Sequence, residues 1–494
     1  MSISSAQNAV DPNKAWRSQS SDYRLSASGR TYVSIDPSTG RRLADVPDCD
    51  EADVEAVVAI AQNASRDWRR LMPKERAQFV RRAAQIMVGA REELAQLDAV
   101  DGGNPVSAMR SDVDKAAEYM ELMADYSSML GGETVRASKN GLHYTEREAY
   151  GVVLRIIPFN HPVMFAGQKI AAPLVAGNAV VLKVAHQTPL SALRLGELWK
   201  DVFPPGVLTV LTGSGPAIGQ AAVRHRGIRR IAFTGSDVTG RAILRDAAES
   251  AVKYVTLELG GKNAMVVFED ADLDALSSHL VNGMNLRSST GQSCGSTSRI
   301  LVHKSLFDEV LARTATAYAD LRVGSPLDEQ VDVGPVVSQI QLDKVTSLVD
   351  AARSDGALVA QGGSRVMADG LSEGYFYSPT VLYGMDRASR VAQEEIFGPV
   401  VSLMPFDSEA DAISAANNTR YGLTASVWTQ DLTIAHRVSR QLEAGYVWVN
   451  GTSEHFLGTP FGGFKDSGIG REESLEELLS FTQTRVTHIM VPEC

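Results

Sequence analysis

Cysteine is scarce in this chain, and what there is of it is scattered. Three cysteines in 494 residues, Cys49, Cys294 and Cys494, are an odd number too widely separated for a disulfide framework or a CxxC metal site. Their pattern points to a reducing compartment, the cytoplasm, and to no bound metal. Long apolar runs are missing too. The polar start MSISSAQNAVDPNKAW lacks the apolar stretch of a secretion signal, and nowhere do about 18 apolar residues follow one another, so neither export nor a membrane span is expected. Charge of one sign is nowhere concentrated. The formal net charge of -11 comes from 59 acidic and 48 basic residues spread along the chain without a basic stripe, which speaks against nucleic acid as a partner.

What is present is enough chain for at least two packed domains, since one hydrophobic core rarely grows beyond roughly 250–300 residues. Residues 51–72 place Val54, Val57, Val58 and Ala61 at helical spacing, and 74–101 and 105–129 continue in that style. Beyond Thr145 the texture changes. GVVLRIIPF, NAVVLK, VLTVL and RRIAFT are short runs rich in β-branched residues, each separated by a helical segment, and this alternation predicts parallel βαβ units in one open, doubly wound sheet. Gly177 stands where a glycine should follow a helix C-terminus, and Ser236 suits the N-cap of the next helix. From Ala264 to about Asp466 a second α/β pattern contains AMVVF, RILVH and VVSLMPF. The segment Leu130 to Arg147 and the tail FTQTRVTHIMV are extended and have no place in either sheet. Both could pair across a subunit interface.

Three segments carry candidate chemistry. In GQSCGSTSR, Cys294 is surrounded by small and hydroxyl residues, so a substrate could approach its sulfur and backbone N–H groups could face the reacting atom. A free cysteine is also among the residues most often simply buried. In LELGGKN, Glu258 ends a predicted strand directly before Leu259, Gly260 and Gly261, where acids line the crevice of an α/β sheet. The alternative is a solvated turn residue. In IIPFNHP, Asn160 follows a strand and is either a functional amide or a helix cap.

Together with VVLK, FTGSDVTG, EEIFGPV and PFGGFKDSGIGRE, these segments occur in an order that resembles the NAD(P)-dependent, non-acylating aldehyde dehydrogenases from about Val33 to Thr487. The resemblance implies an α/β fold: a Rossmann-type cofactor domain (1–129 and 148–260), a second α/β catalytic domain (261–466) and a small β oligomerisation arm (130–147 and 467–494). A homodimer or homotetramer would follow. It further implies that Cys294 is the nucleophile, Glu258 the general base and Asn160 the oxyanion donor, with Lys169 and Glu472 completing a proton route unless they are a surface ion pair. The aldehyde would be attacked by sulfur, pass hydride to NAD or NADP, and leave as acid after water cleaves a thioester. The cofactor set carried over is Ile156, Pro158, Phe159, Lys183, His186, Gly219, Phe233, Gly235, Ser236, Leu259, Gly260, Glu395 and Phe397. No GxGxxG is present, and LTGSGPAIG is not that fingerprint; Gly235 and Ser236 instead open a helix whose N–H groups can face pyrophosphate.

One departure concerns the cofactor. The family commonly reads KPAE or KPSE after this strand, whereas Lys183, Val184, Ala185 and His186 stand here. Without a carboxylate at 186 nothing there repels a 2′-phosphate, so NADP or dual use is plausible. The substrate mouth is expected to include His161, Phe165, Gln168, Ser293, Phe456 and Phe461, which suggests an apolar or aromatic aldehyde. No dedicated anchor for a substrate carboxylate stands out. The rival readings are a CoA-acylating dehydrogenase, which Glu258 weighs against, a thiol hydrolase, and a binding or structural protein on the same fold.

Overall fold

The computed structural model describes residue 26 and residues 28–490; the polar start of the chain and Cys494 lie outside the described residues. Among the described residues the first helix, Glu51–Trp68, starts at a capping box: Asp50 accepts from the N–H groups of Ala52 and Asp53, and Asp53 accepts from Asp50 N–H at 2.8 Å. Its Val54, Val57, Val58 and Ala61 are buried, as their spacing requires. Helices Pro73–Gly89, Arg91–Gly102 and Val106–Asp125 follow.

The apolar runs then build a six-stranded sheet. Its order is Gly468–Ile469, Tyr254–Glu258, Arg230–Thr234, Val152–Ile156, Ala179–Lys183, Leu208–Leu211, and all but the first, short strand are parallel. Both faces are covered, which is why these strands read as continuous apolar runs. Val153, Val180, Leu182 and Val210 pack toward the helices Pro73–Gly89, Val106–Asp125 and Pro162–Val175, while Val152, Leu154, Val181 and Ile231 pack against the stripe of Glu51–Trp68. The chain runs outward from Val152–Ile156 on one side and resumes on its other side at Arg230–Thr234. This switch point opens a crevice at the carboxyl ends of those two strands. Helix Pro162–Val175 ends before Gly177, whose φ of 96° is the left-handed conformation that glycine adopts freely. Ser236 caps Asp237–Ser250 by accepting from Thr239 N–H at 3.3 Å.

The second pattern forms a seven-stranded sheet ordered Leu358–Gln361, Thr380–Tyr383, Val400–Phe406, Arg299–His303, Ala264–Val267, Thr424–Trp428, Tyr446–Val449, with only the first strand antiparallel. The two segments without a place in either sheet pair with each other: Thr482–Met490 runs antiparallel along Gly141–Ala149, and Thr134–Val135 lies on the far side. The arm is narrower than the 467–494 expected. Gly468–Ile469 adds to the six-stranded sheet beside Leu257 and Glu258, and Leu478 and Phe481 are buried in the core around helix Pro162–Val175. Among the described residues no helix is long and apolar enough to cross a membrane.

Candidate active site

Glu258 is the last residue of its strand, and its carbonyl accepts from Gly235 N–H at 3.0 Å, tying two strand ends together. It is not a solvated turn residue, being only 5% exposed. Its side chain lies beside the Cys294 thiol, and its Oε1 is buried without a hydrogen-bond partner. Burial and the nearby charge of Glu472 push the Glu258 carboxyl well above the usual range, and burial together with Glu258 raises the Cys294 thiol. Both shifts favour the protonated forms, so Glu258 must ionise before it can take the thiol proton.

The turn that carries Cys294 is held from the next sheet. Asn263, just ahead of the strand Ala264–Val267, donates its amide to the carbonyls of Cys294 at 2.7 Å and Ser296 at 2.9 Å, and accepts from Thr424 N–H at 3.1 Å. Gly291 enters the turn with a φ of 73°, and a Cβ there would lie 2.4 Å from the Gly398 carbonyl. Cys294 N–H makes no hydrogen bond to any described residue and is free to face a reacting oxygen.

Asn160 does not cap the helix that follows. The amide oxygen of its side chain is buried and unpartnered, while Asp98 accepts from Val163 N–H at 2.7 Å in the capping role. Asn104 donates to the Asn160 carbonyl at 2.7 Å and so fixes the position of that residue. Lys169 and Glu472 are buried, not a surface pair: Nζ of Lys169 lies 2.5 Å from Oε2 of Glu472. Arg155 bonds the other Glu472 oxygen at 3.0 Å and Glu477 at 3.0 Å, and Tyr119 donates to Glu477. Although burial acts to raise it, Glu472 is held well below the usual carboxylate range by Lys169 and Arg155.

A cavity of about 340 Å³ brings Cys294, Glu258, Asn160, Lys169 and Glu472 together with the expected His161, Phe165, Gln168, Ser293 and Phe461. Phe456 is the exception. It is 51% exposed and off the cavity wall, where its neighbours His455 and Leu457 stand instead. Sequence reasoning missed Asp112, Lys115, His455 and Glu473. Asp112 pairs with His161 at 2.7 Å and Glu473 with His455 at 2.9 Å. No local motif marks Asp112, which reaches the wall from helix Val106–Asp125.

The other expected residues gather at the carboxyl ends of the six-stranded sheet. Ile156 ends its strand, Pro158 and Phe159 follow it half-buried, and Leu259 and Gly260 follow Glu258. The surface there is bare backbone by necessity: a Cβ on Gly260 would fall 2.1 Å from Glu395, and one on Gly235 would fall 2.5 Å from the Phe233 ring. Such a cradle suits the close approach of a dinucleotide. Glu395 accepts from Gly261 N–H at 3.1 Å, and burial lifts its carboxyl to about 7. Phe397 holds a φ of 60°, uncommon for a bulky residue, and meets Phe159 edge to face at 5.6 Å. Lys183 donates to the carbonyls of Val184 at 2.8 Å and Gly213 at 3.3 Å. Gly219, in helix Ala217–Arg224, has open space where a Cβ would be.

A partly exposed thiol, a buried carboxyl and an unpartnered amide at the mouth of a sheet switch point define a thiol-dependent enzyme with a nucleotide crevice. The profile of the aldehyde dehydrogenase family matches residues 23–487. An aldehyde dehydrogenase (tropH) of Talaromyces stipitatus is 41% identical over 92% of this chain and 89% of its own length. An aldehyde dehydrogenase of Bacillus cereus, solved as its NAD+ complex, superposes with a TM-score of 0.94 at 36% identity, covering 97% of this chain and 98% of that one. The indole-3-acetaldehyde dehydrogenase AldA of P. syringae, solved with NAD+ and IAA, gives 0.94 at 37% identity over 98% of both. The chain belongs to the aldehyde dehydrogenase family. It is an NAD(P)-dependent enzyme that oxidises an aldehyde to the acid.

Proposed function

We propose that this enzyme oxidises an uncharged apolar or aromatic aldehyde and releases the acid to water, with Cys294 as nucleophile, Glu258 as base and Asn160 as oxyanion donor. The observation that carries the reading is the convergence of the Cys294 thiol, the buried Glu258 carboxyl and the Asn160 amide on one cavity. Sulfur attacks the aldehyde carbon while the thiol proton moves to Glu258. The resulting oxyanion accepts from the Asn160 amide and from Cys294 N–H, donors worth ~3–4 kcal/mol each in comparable holes. When bound, the nicotinamide supplies the hydride acceptor. The acyl group is then left on Cys294 as a thioester; Glu258 passes the thiol proton on toward Lys169 and Glu472 and, ionised again, deprotonates the water that cleaves the thioester. The buried Lys169–Glu472 pair takes the proton onward. Aldehydes that carry an aromatic ring are favoured by Phe165 and Phe461 on the cavity wall, and the P. syringae neighbour is a dehydrogenase of one such aldehyde, indole-3-acetaldehyde.

Residues 1–129 and 148–260, whose described part holds the six-stranded sheet apart from its Gly468–Ile469 strand, are assigned to the cofactor, residues 261–466 to the catalytic turn, and the three-stranded arm to association into a homodimer or homotetramer in the cytoplasm. Ile156, Pro158, Phe159, Phe233, Gly235, Ser236, Leu259 and Gly260 line the proposed crevice, with Gly219 at its side; Glu395 and Phe397 take the nicotinamide end. Lys183 and His186 take the adenine ribose. Burial and the charge of Lys183 lower the His186 imidazole, so it meets a 2′-phosphate as a hydrogen-bonding neighbour, while Lys183, lowered by burial to about 8, supplies charge. Use of both NAD and NADP follows from that pairing.

The test is formation of reduced cofactor from NAD or NADP with aliphatic, aromatic and carboxylate-bearing aldehydes, with and without CoA, and with Cys294→Ala as control. Turnover without CoA that disappears in the variant is the expected result. Turnover that requires CoA would replace hydrolysis by acyl transfer.

A further inference from the structure

The wall of the substrate cavity is more polar than a tunnel for plain hydrocarbon aldehydes requires. His161, Phe165 and Gln168 stand four and three residues apart at the start of helix Pro162–Val175, so they share one face of it, and all three line the cavity. Phe165 and Phe461 provide flat apolar surface for a ring. Gln168 is only 6% exposed, its Oε1 has no partner, and its side-chain amide makes no hydrogen bond to any described residue. His161 is committed on one side only. Its Nδ1 lies 2.7 Å from the Asp112 carboxylate, which can only accept, so Nδ1 carries the proton and Nε2 is left as the ring nitrogen without a partner among the described residues.

These two side chains together offer an acceptor at Gln168 Oε1, a donor at the Gln168 amide nitrogen, and the open Nε2 of His161, which accepts on the neutral ring and donates on the charged one. A ligand group that both donates and accepts satisfies them, and one that only accepts does not. A carboxylate is also disfavoured on charge. Asp112, Glu118, Glu258, Glu454, Glu472 and Glu473 line the cavity against Lys115 and Lys169 alone, and Lys169 is already held by Glu472. The group that fits is a hydroxyl.

We propose that the aldehydes this cavity selects are uncharged aromatic aldehydes bearing a ring hydroxyl, recognised by the Gln168 amide and by the His161 imidazole that Asp112 holds in place. The inference rests on the reading that aldehyde oxidation takes place at Cys294 in this same cavity, and it narrows the substrate class of that site.

Matched substituents test it without confusing recognition with reactivity, because hydroxyl and methoxy groups perturb the aldehyde carbon similarly while only the hydroxyl can donate. The measurement is kcat/KM of the purified full-length enzyme for benzaldehyde and its ortho, meta and para hydroxy and methoxy derivatives, with NAD and with NADP. At one ring position at least, the hydroxy compound should exceed its methoxy partner by about tenfold or more, mainly through KM. Gln168→Met, which keeps length and loses the amide, should bring that ratio down toward one. Equal wild-type values for every hydroxy and methoxy pair overturn the inference while leaving aldehyde oxidation intact, and so does a ratio that survives Gln168→Met. Failure to reduce either cofactor with any aldehyde would instead overturn the dehydrogenase reading and the inference with it.

Discussion

A thiol that shares its proton with a buried carboxyl is a weak nucleophile until the carboxyl is free to take that proton. Burial and Glu472 raise Glu258, so the ionised form it needs as a base is lost as pH falls through a value above the ordinary carboxylate range. The expected kcat/KM profile therefore climbs with pH across that raised value, and an acid limb near 4–5 would remove Glu258 from the role. Glu258→Gln separates the steps: with no carboxylate to take the thiol proton the burst of reduced cofactor should be slowed, and the steady turnover that follows it should fall by roughly 10²–10⁴-fold. A burst at the wild-type rate would remove Glu258 from acylation and leave it in thioester cleavage alone. Asn263 is argued at the same scale. Removing its amide leaves the Cys294 carbonyl unmet, while that of Ser296 keeps Ser298 N–H, and at about 1–3 kcal/mol the Asn263→Ala variant should lose roughly 5- to 150-fold in kcat, with burst rate as the check. A normal burst would show that the turn holds itself. Cys294, Glu258 and Asn160 were legible in the sequence because each sits in a short motif with unusual small neighbours. Asp112 and Glu473 were not, since an acidic residue on a helix or beside another acid looks like ordinary surface until the partner histidine is placed.

At the scale of elements, the strands and the helix caps could be read directly, because period, Gly177 and Ser236 are local signals. What no local signal reveals is how elements are joined. Arg155 lies inside the strand Val152–Ile156, yet it bonds the Lys169 carbonyl on helix Pro162–Val175 at 2.8 Å and both Glu472 and Glu477, more than 300 residues along the chain. This explains why 468–481 belongs with the six-stranded body and not with the arm. The same distance hid the burial of Lys169 and Glu472, which as single charged residues read equally well as surface groups. The Arg155→Met substitution leaves two buried carboxylates short of a cation, a change that costs about 3–5 kcal/mol in comparable sites. A clear fall in the thermal unfolding midpoint is expected, together with lower kcat because Lys169 then holds Glu472 alone. An unchanged midpoint would mean that Lys169 balances the cluster by itself.

At the scale of the molecule, three sheets stack their open features at different places: a crevice at the switch point, a cavity between that crevice and the catalytic turn, and an arm with no crevice at all. The arm is three strands wide, and on its outer strand Val486, Ile489 and Met490 are 54%, 49% and 64% exposed, with no neighbour on that edge among the described residues. Exposed apolar strand edges invite pairing with another chain, so the arm is the natural place for a second copy to add. The sequence showed the two segments as strands without a home; they pair with each other inside one chain, and the Thr482–Met490 edge has no strand beside it among the described residues. Val486→Lys with Ile489→Lys places two charges along it. In a single chain both side chains already meet solvent, so the unfolding midpoint of the monomer should move little, whereas the mass measured by light scattering should fall to that of one chain or of a smaller assembly. A mass unchanged from wild type would take association away from this edge and assign it to another surface.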